Sequence, residues 1–570
     1  MANAAPPSSV PPSADRATQH THTHTHTHTH TLSRQVGMIG LLWASEGSII
    51  GSGWLFGAQG ALAQAGPAAL VSWGIAAVII IVIALVHAEL GGMFPISGGT
   101  ARFPHYAFGG AAGASFGWFS WLQAAATSPV EVIAMIQYAQ HWSFARNLMY
   151  TTQALGGTQH MLSAEGIGVG VVLMAVFVAI NFLGIRMLAR VNNVATWWKV
   201  GVPLLTIFAL SIAGFHLGNF SANGGFFGSG AKSILQAIPL SGIVFALLGF
   251  EQAIQLAGES QNPRKHLPRA TVASILIGAG IYILVQLAFI GTLPAAQITG
   301  GWAKAAFTDY SAPFAAVATL SGLGWLAAIL YADAVISPGG TGLIYSTTTS
   351  RISYGLSRNG YIPAIYSRTD RRHVPWFGLV TSFVVGCVFF LPFPSWQSMV
   401  QLATSASVLM YAGAPLAFGV FRDRLPGLER PYRLPGGAIV APIAFMLANE
   451  IVLWAGYDTV YKLGVSVLAG YVVLILSRAL KLNPVTPQLD YRAAQWLPVY
   501  LLGMGVLTWL SSFDTGGAGS LADPPLHFGW DMAAVAAFSL LIYFWARRVA
   551  LPAERIQRMI DEVVLVEAGH

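Results

Sequence analysis

The composition of this 570-residue chain defines its class before any motif is considered. Hydrophobic residues make up 55% of the chain, charged residues only 9%, and the mean hydropathy is +0.60. A membrane-spanning helix needs about 20 apolar residues, and this composition predicts an all-α polytopic membrane protein. The net charge of +7 is explained by membrane topology and gives no indication of nucleic-acid binding.

The first 32 residues differ from the rest of the chain. They consist of Pro, Ser, Ala and Thr with an alternating Thr-His run that extends from His20 to His30. Too few of them are apolar to form a core, so we predict a disordered cytoplasmic tail over residues 1–32. The run could bind Zn, Ni or Cu loosely, but a low-complexity expansion is the favoured interpretation. A signal peptide is not expected, because no apolar core precedes Val36.

Fourteen apolar segments are candidate membrane spans, and they are numbered here in chain order. The segments are 36–64, 68–92, 112–141, 166–184, 194–216, 232–257, 270–292, 314–349, 376–392, 396–420, 435–456, 462–479, 494–512 and 529–547.

The distribution of Lys and Arg sets the orientation, because these residues accumulate in cytoplasmic loops. A cytoplasmic amino terminus places most of the 29 Lys and Arg residues on the cytoplasmic side. Only Arg146, Lys232, Lys304 and Lys462 then lie outside, and Lys199 lies within span 5. We therefore predict a cell (inner) membrane protein with both termini in the cytoplasm.

Span 1 contains residues that are unsuited to a helix interior, Gly47-Ser48-Ile49-Ile50-Gly51-Ser52-Gly53. Each glycine costs about 1 kcal/mol relative to alanine in a helix. Broken backbone at membrane depth is tolerated only where it is buried in protein or lines a cavity. The sequence therefore predicts an interrupted helix whose backbone groups are available to a small polar solute.

A Gly-Ser connector follows span 2, where Gly98 and Gly99 precede Arg102. Glycines beside a basic residue can cradle a phosphate, but here no strand precedes them and no Gly-Lys-Ser/Thr follows. A flexible connector that moves with a gate is the favoured interpretation.

Span 6 supplies a second interruption between Pro239 and Gln252, with Gly242, Gly249 and Glu251 between them. Transporters built from inverted repeats interrupt corresponding helices of the two repeats. Spans 1 and 6 are five helices apart, which is the offset of a 5+5 inverted repeat. We predict a ten-span core over residues 33–420, additional spans 11 to 14 over 421–550, and a short cytoplasmic helix over 551–570.

The two interruptions offer complementary partners to a free amino acid. The outer half of span 1 starts near Gly53, and the N–H groups and positive dipole end of a helix start favour a carboxylate. Carbonyls near the span 6 interruption can accept from an ammonium group. Close helix crossing through glycine is the alternative interpretation for both spans. The candidate substrate-binding residues are Ser48, Ile50, Gly51, Ser52, Gly53, Phe245, Ala246, Leu248 and Gly249.

An ordered series of motifs over residues 35–420 resembles the amino acid–polyamine–organocation (APC) transporters. The motifs are Gly47–Phe56, Ala65–Pro67, Ala88–Gly91, Pro95–Gly99, Gly249–Glu251, Gly258–Arg264, Ser350–Arg351 and Arg358–Gly360. Ser337–Gly340, Pro392–Trp396 and the number of spans look most similar to the bacterial aspartate–proton symporters of that family. The resemblance implies the LeuT-like fold with discontinuous helices 1 and 6.

The resemblance also gives a role to Lys199, because proton-coupled members often place a lysine here, close to spans 1 and 8. Glu46 departs from the family, which more often has an apolar or small residue at this position. We hypothesise that Glu46 and Lys199 form a pair that shares and moves one proton. The alternatives are a snorkelling Lys199 and a Glu46 that faces the substrate ammonium or the cytoplasmic gate.

Other ionisable and polar residues within the spans are functional candidates, because they are costly to place there. Glu131 and Asp333 are candidate proton carriers, with structural hydrogen bonding as the alternative. Glu251 is expected to hold the unwound backbone of span 6 by accepting N–H bonds, and Glu89 to anchor a gate or loop. Ser337 and Thr341, with Tyr345, share one helix face that is expected to point inward.

These residues predict a secondary active transporter that imports amino acids. The resemblance favours proton symport of acidic amino acids such as aspartate or glutamate. The buried acids would also suit a neutral or cationic substrate, so an amino acid or polyamine exchanger remains the alternative. An enzyme is not expected, since the spans show no nucleophile with a base and no metal cluster. The partners are then an amino acid, protons and the lipid bilayer, with no cofactor and an open oligomeric state.

Overall fold

The computed structural model of the chain describes residues 36–94, 99–154, 157–183, 185–256, 260–302, 311–372, 374–514, 516 and 519–568. The predicted tail 1–32 lies outside this range, as do Gly98 and Lys304.

Helices coincide with all fourteen predicted spans. Spans 1 to 5 correspond to α1 (Met38–Ile49), α2 (Gly53–Ala65), α3 (Ala69–Met93), α5 (Gly110–Ala139), α6 (Ala164–Phe182) and α7 (Ile185–Ala213), and α4 (Gly99–Phe108) lies between spans 2 and 3. Spans 6 to 10 correspond to α8 (Gly230–Leu240), α9 (Ile243–Leu247), α10 (Glu251–Gln255), α11 (Pro263–Thr292), α12 (Pro313–Leu320), α13 (Gly324–Arg358), α14 (Trp376–Phe389) and α15 (Trp396–Arg424). Spans 11 to 14 are α16 (Gly437–Trp454), α17 (Tyr457–Ala479), α18 (Trp496–Trp509) and α19 (Trp530–Val549), and α20 (Ala553–Ala568) follows them.

Within the described residues, nine helical segments are long and apolar enough to cross a membrane. Helices α14 and α18 are also apolar but shorter. Span 3 is not among the nine although α5 has 30 residues. Almost all of α5 is buried by neighbouring helices, notably α13 and α15. A helix that faces protein on all sides does not need the apolar surface that lipid requires, which explains its many Gly, Ala, Ser and Thr residues.

Predicted span 8 begins later in the structure than the sequence indicates. The segment 314–349 is divided by a turn at Ser321 to Leu323, in which Gly322 has φ +75°. Left-handed backbone of this kind ends α12. The continuous helix α13 then runs from Gly324 to Arg358.

One feature outside the helical pattern is a β-hairpin between α5 and α6. Strands β1 (Met149–Ala154) and β2 (Gly157–Leu162) are antiparallel, with Met149 opposite Leu162. The N–H of Leu162 donates to the carbonyl of Pro394 at 2.9 Å. This bond ties the hairpin to the residues that precede α15.

Candidate functional site

The predicted interruption of span 1 is present. Helix α1 ends at Ile49, α2 begins at Gly53, and the three residues between them are non-helical and buried. Within the linker the Gly51 N–H donates to the Ile49 carbonyl at 3.2 Å. The unwound backbone is enclosed by protein, as the absence of water in a bilayer requires.

Span 6 is interrupted twice, whereas the sequence indicated a single break. The first interruption is at Ser241 and Gly242, where Gly242 has φ +83°. The second is at Leu248 to Phe250, where Gly249 has φ +127°. The two glycines adopt backbone conformations that other residues rarely reach. The short helix α9 therefore lies between two non-helical breaks, each of which contains one of these glycines.

The interruptions of spans 1 and 6 pack directly against each other. A Cβ atom on Gly53 would lie 2.8 Å from the Cβ of Ala246, and one on Gly249 would lie 2.8 Å from the backbone nitrogen of Ile49. The candidate residues of both spans therefore share one interface. In this conformation its glycines serve the close helix crossing that was the alternative interpretation, and substrate binding by these residues remains a prediction.

Lys199 is fully buried against the span 1 interruption, which rules out a snorkelling cation in this conformation. Its Nζ donates to the Gly47 carbonyl at 2.6 Å and to the Thr341 hydroxyl at 2.8 Å. The Thr341 Oγ1 also lies 3.2 Å from the Gly47 carbonyl oxygen. Lysine thus joins span 1 to span 8, and Thr341 faces inward as predicted.

Glu46 and Lys199 do not form the predicted ion pair. Within the described residues, neither carboxylate oxygen of Glu46 has a hydrogen-bond partner, although the residue is buried. Lysine reaches the backbone carbonyl of the adjacent Gly47 instead. Successive helical side chains point about 100° apart, so proximity to the glycine did not bring the Glu46 side chain to the lysine.

Glu131 occupies the start of α2, the position that was predicted to attract a substrate carboxylate. Its Oε2 accepts the Ser52 N–H at 2.8 Å. Its Oε1 has no hydrogen-bond partner within the described chain, and a Cβ atom on Gly51 would lie only 2.6 Å from it. A carboxylate here is stabilised by the backbone N–H and by the positive end of the helix.

Asp333, the other predicted proton carrier, is held by three donors. Its carboxylate accepts from Trp54 Nε1 at 3.0 Å, Trp198 Nε1 at 2.9 Å and Ser337 Oγ at 2.6 Å. The structural interpretation therefore has direct support at this residue. Ser337 is buried, as its predicted inward face requires.

Glu251 holds the second interruption of span 6 as predicted. Its carboxylate accepts the Gly249 N–H at 2.9 Å, the Tyr411 hydroxyl at 2.6 Å and the Tyr345 hydroxyl at 3.1 Å. Gln123 Nε2 lies 3.4 Å from it. A backbone amide freed by the interruption is therefore satisfied by a side chain.

Glu89 anchors the end of span 2 to span 10 and the loop that follows it. Its carboxylate accepts from Arg422 Nε at 3.0 Å and Nη2 at 2.6 Å, and from the Leu434 N–H at 2.7 Å. Arg430 Nε lies 3.3 Å from it. These contacts agree with the predicted loop or gate anchor.

Trp396 is a site residue that the sequence did not reveal. Its Nε1 donates to Ser52 Oγ at 2.8 Å, and its ring centroid lies 4.9 Å from that of Phe56. It also meets Phe245 edge-on, at 6.2 Å between centroids. Trp396 is the first residue of an apolar span, where a tryptophan is usually an anchor at the membrane interface. The sequence therefore gave no indication that it lies between the two interruptions.

Two interrupted helices that meet around buried ionisable groups define a secondary transporter of the membrane. No cluster of potential metal ligands is found among the described residues. Comparison with known proteins identifies the family: a sequence model of the amino acid permeases matches residues 36–476. The chain therefore belongs to the amino acid permeases of the APC family, which are transporters and not enzymes.

Relatives support the same family. The chain is 35% identical to the glutamate/serine transporter AimA of Bacillus subtilis over 527 residues, which cover 92% of this chain and 96% of the relative. It is 32% identical to the aspartate-proton symporter of the same organism, with 92% and 98% covered. The branched-chain amino acid permease BcaP of that organism is 26% identical, with 78% and 93% covered.

Proposed function

We propose that this permease imports acidic amino acids, aspartate or glutamate, by proton symport. The observation that carries the proposal is the bond between the Glu131 carboxylate and the Ser52 N–H at the start of α2. The start of α2 is also the natural site for a substrate carboxylate. Two carboxylates at one helix start repel each other, so substrate and the charged form of Glu131 exclude each other.

A proton removes this conflict. When Glu131 is protonated it no longer needs the Ser52 amide as a charge partner, and a substrate carboxylate can accept that N–H in its place. Substrate binding and proton binding then favour each other, which is the coupling that symport requires.

Lys199 provides the fixed positive charge of this site. It is buried and bonded to the Gly47 carbonyl, and Glu131 and Asp333 are the acidic groups that act on it electrostatically. An anionic substrate that entered beside two charged acids and one lysine would add to an uncompensated negative charge, which is costly in a dry interior. Neutralising one acid with a proton offsets that cost.

The names of two relatives support the substrate class. One is a glutamate/serine transporter and the other an aspartate-proton symporter, and each aligns with 92% of this chain. The aspartate-proton symporter also supports protons as the coupling ion.

A neutral or cationic substrate moved by exchange is the second candidate, and Glu46 favours it. The carboxylate of Glu46 is buried without a hydrogen-bond partner in the described chain. A substrate ammonium or a polyamine nitrogen would supply that partner.

Uptake in proteoliposomes distinguishes the two candidates. With purified protein, an imposed inward proton gradient is expected to accumulate labelled aspartate or glutamate, and a proton ionophore is expected to abolish this accumulation. Protein-free liposomes are the control. Counterflow of labelled substrate without any response to the proton gradient would contradict symport, and accumulation restricted to neutral or cationic compounds would contradict the acidic substrate.

A further inference from the structure

A separate cavity lies at the end of the molecule that carries the C-terminal helix. Its volume is about 610 Å³. It is open to solvent on one side and is lined by α4, the last turn of α13, the loop between α17 and α18, and α20. This volume falls in the range of small-molecule sites in proteins, about 300–1,000 Å³.

The wall of this cavity carries an excess of positive charge. Four arginines line it, and Asp490 is the carboxylate among its described lining residues; the arginines are Arg102, Arg358, Arg555 and Arg558. Arg555 is already held by Asp490, at 2.8 Å between Nη2 and Oδ1. One carboxylate therefore faces four guanidinium groups in the wall of this cavity.

Two of the arginines have side chains that are not committed to another side chain. The Arg358 side chain makes no hydrogen bond or ion pair within the described part of the chain, and the Arg558 side chain donates only to the backbone carbonyl of Glu554, at 3.4 Å. His105 also lines the cavity. Burial, together with Arg102 and Arg555, lowers the pKa of His105 to about 4, so at neutral pH it adds no charge.

We propose that this cavity binds a phosphate-bearing anion. Guanidinium groups match the oxygens of a phosphate and form strong, charge-assisted hydrogen bonds with them. Topology explains why arginines lie at a cytoplasmic end, but it does not explain their convergence from three separate segments on one cavity. The same phosphate chemistry is available from a soluble phosphate compound and from the headgroup of an anionic lipid.

Binding at this cavity would act on the transport core through α4. Helix α4 packs against α5, α15 and the inner piece of span 6, α10. Its end is tied to neighbouring segments by the bond from the Leu551 N–H to the Ala107 carbonyl at 3.1 Å. An anion shared by Arg102, Arg358 and Arg558 would join α4 to α13 and α20. It would thereby stabilise the present arrangement of these three helices and slow the transport cycle.

Thermal unfolding of the purified full-length protein in a detergent with an uncharged headgroup tests the site, with inorganic pyrophosphate as the probe. Pyrophosphate is expected to raise the melting temperature of the wild type, and the double variant Arg358→Gln/Arg558→Gln is expected to lose this shift. Arg371→Gln is the matched control, because Arg371 is an exposed arginine of the loop that follows α13. The absence of a shift in the wild type, or an equal shift in the double variant, would overturn the proposal.

Reconstitution in lipid nanodiscs identifies the source of the phosphate. If the pyrophosphate shift persists in both phosphatidylcholine and phosphatidylglycerol, the site takes a soluble anion. If it is present in phosphatidylcholine and disappears in phosphatidylglycerol, the lipid headgroup occupies the same site. If pyrophosphate changes the melting temperature of the wild type and of the double variant equally in both membranes, the cavity does not bind it and the proposal is refuted.

Transport measures the regulatory effect, independently of which amino acid is carried. With pyrophosphate on both faces of the proteoliposomes, counterflow of whichever labelled amino acid the vesicles take up is expected to slow several-fold in the wild type. The double variant is expected to keep its rate. Equal rates with and without pyrophosphate in the wild type would contradict regulation through this cavity.

Discussion

The carboxylates at the interruptions of spans 1 and 6 differ in how completely they are hydrogen-bonded. At the second interruption of span 6, Glu251 accepts from one backbone N–H and two tyrosine hydroxyls. At span 1, Glu131 uses one carboxylate oxygen and leaves the other without a partner, and Glu46 leaves both without a partner in the described chain. Satisfied networks are rigid, whereas unsatisfied buried groups are poised to change partners. We infer that the interruption of span 6 has a structural role, and that the interruption of span 1 takes part in substrate and proton binding.

The largest expected effect on transport follows from removing the positive charge at span 1. Lys199→Met removes the charged donor to the Gly47 carbonyl and leaves the neighbouring acids without their cation. A hydrogen bond from a charged group contributes about 1.5–3 kcal/mol, so we expect a loss of proton-driven uptake of roughly 10- to 100-fold. Initial uptake rates per mole of reconstituted protein measure this loss.

Lys462→Met is the control for Lys199→Met, because Lys462 forms a partly exposed pair with Asp458 at 2.6 Å, away from the interruptions. It is expected to transport at the wild-type rate. Normal proton-driven uptake by Lys199→Met would show that the contact between Lys199 and span 1 is not needed for proton coupling.

A change at span 6 is expected to affect stability more than coupling. Glu251→Gln weakens a buried acceptor shared by the Gly249 N–H and two tyrosines, at a cost of about 1–3 kcal/mol. We expect a lower melting temperature, while uptake by the protein that remains folded keeps its pH dependence. A normal melting temperature with a flattened pH profile would reverse the roles assigned to the two spans.

A smaller effect is expected at the contact that bridges the two spans. Trp396→Phe removes the hydrogen bond to Ser52 and keeps a ring against Phe56, so it costs about 1 kcal/mol. We expect a change of several-fold in the KM for uptake, with coupling unaltered. Trp496→Phe is the matched control, since Trp496 is also buried and donates to a carbonyl, that of Ala493 at 3.1 Å. Equal KM values for the two variants would show that the Ser52 contact has no role in binding.

Much of the fold could be predicted because lipid imposes strict rules on backbone. Glycine and serine within span 1 mark an interruption, and the structure places it within the predicted segment, between Ile49 and Gly53. Glu251 beside Gly249 indicated a carboxylate bonded to a freed amide, and that bond is present. In each of these cases the cause and the effect lie within a few residues of sequence.

The remaining features depend on side-chain direction and on contacts between distant segments. Glu46 adjoins the glycine that Lys199 contacts, yet its side chain does not meet the lysine. Trp396 reaches Ser52 across 344 residues of sequence, a contact that no local pattern encodes. The end of α12 at Leu320, before the turn at Gly322, could not be predicted because apolar residues continue on both sides of the turn.

Proton flux in Glu131→Gln tests the central claim most directly. Glutamine cannot carry the proton, but its side chain retains an oxygen that can accept the Ser52 N–H. In proteoliposomes with an internal pH indicator, we predict that the variant exchanges labelled substrate by counterflow while substrate addition no longer drives proton entry. Substrate-driven proton entry in Glu131→Gln at the wild-type ratio of protons to substrate would contradict the account.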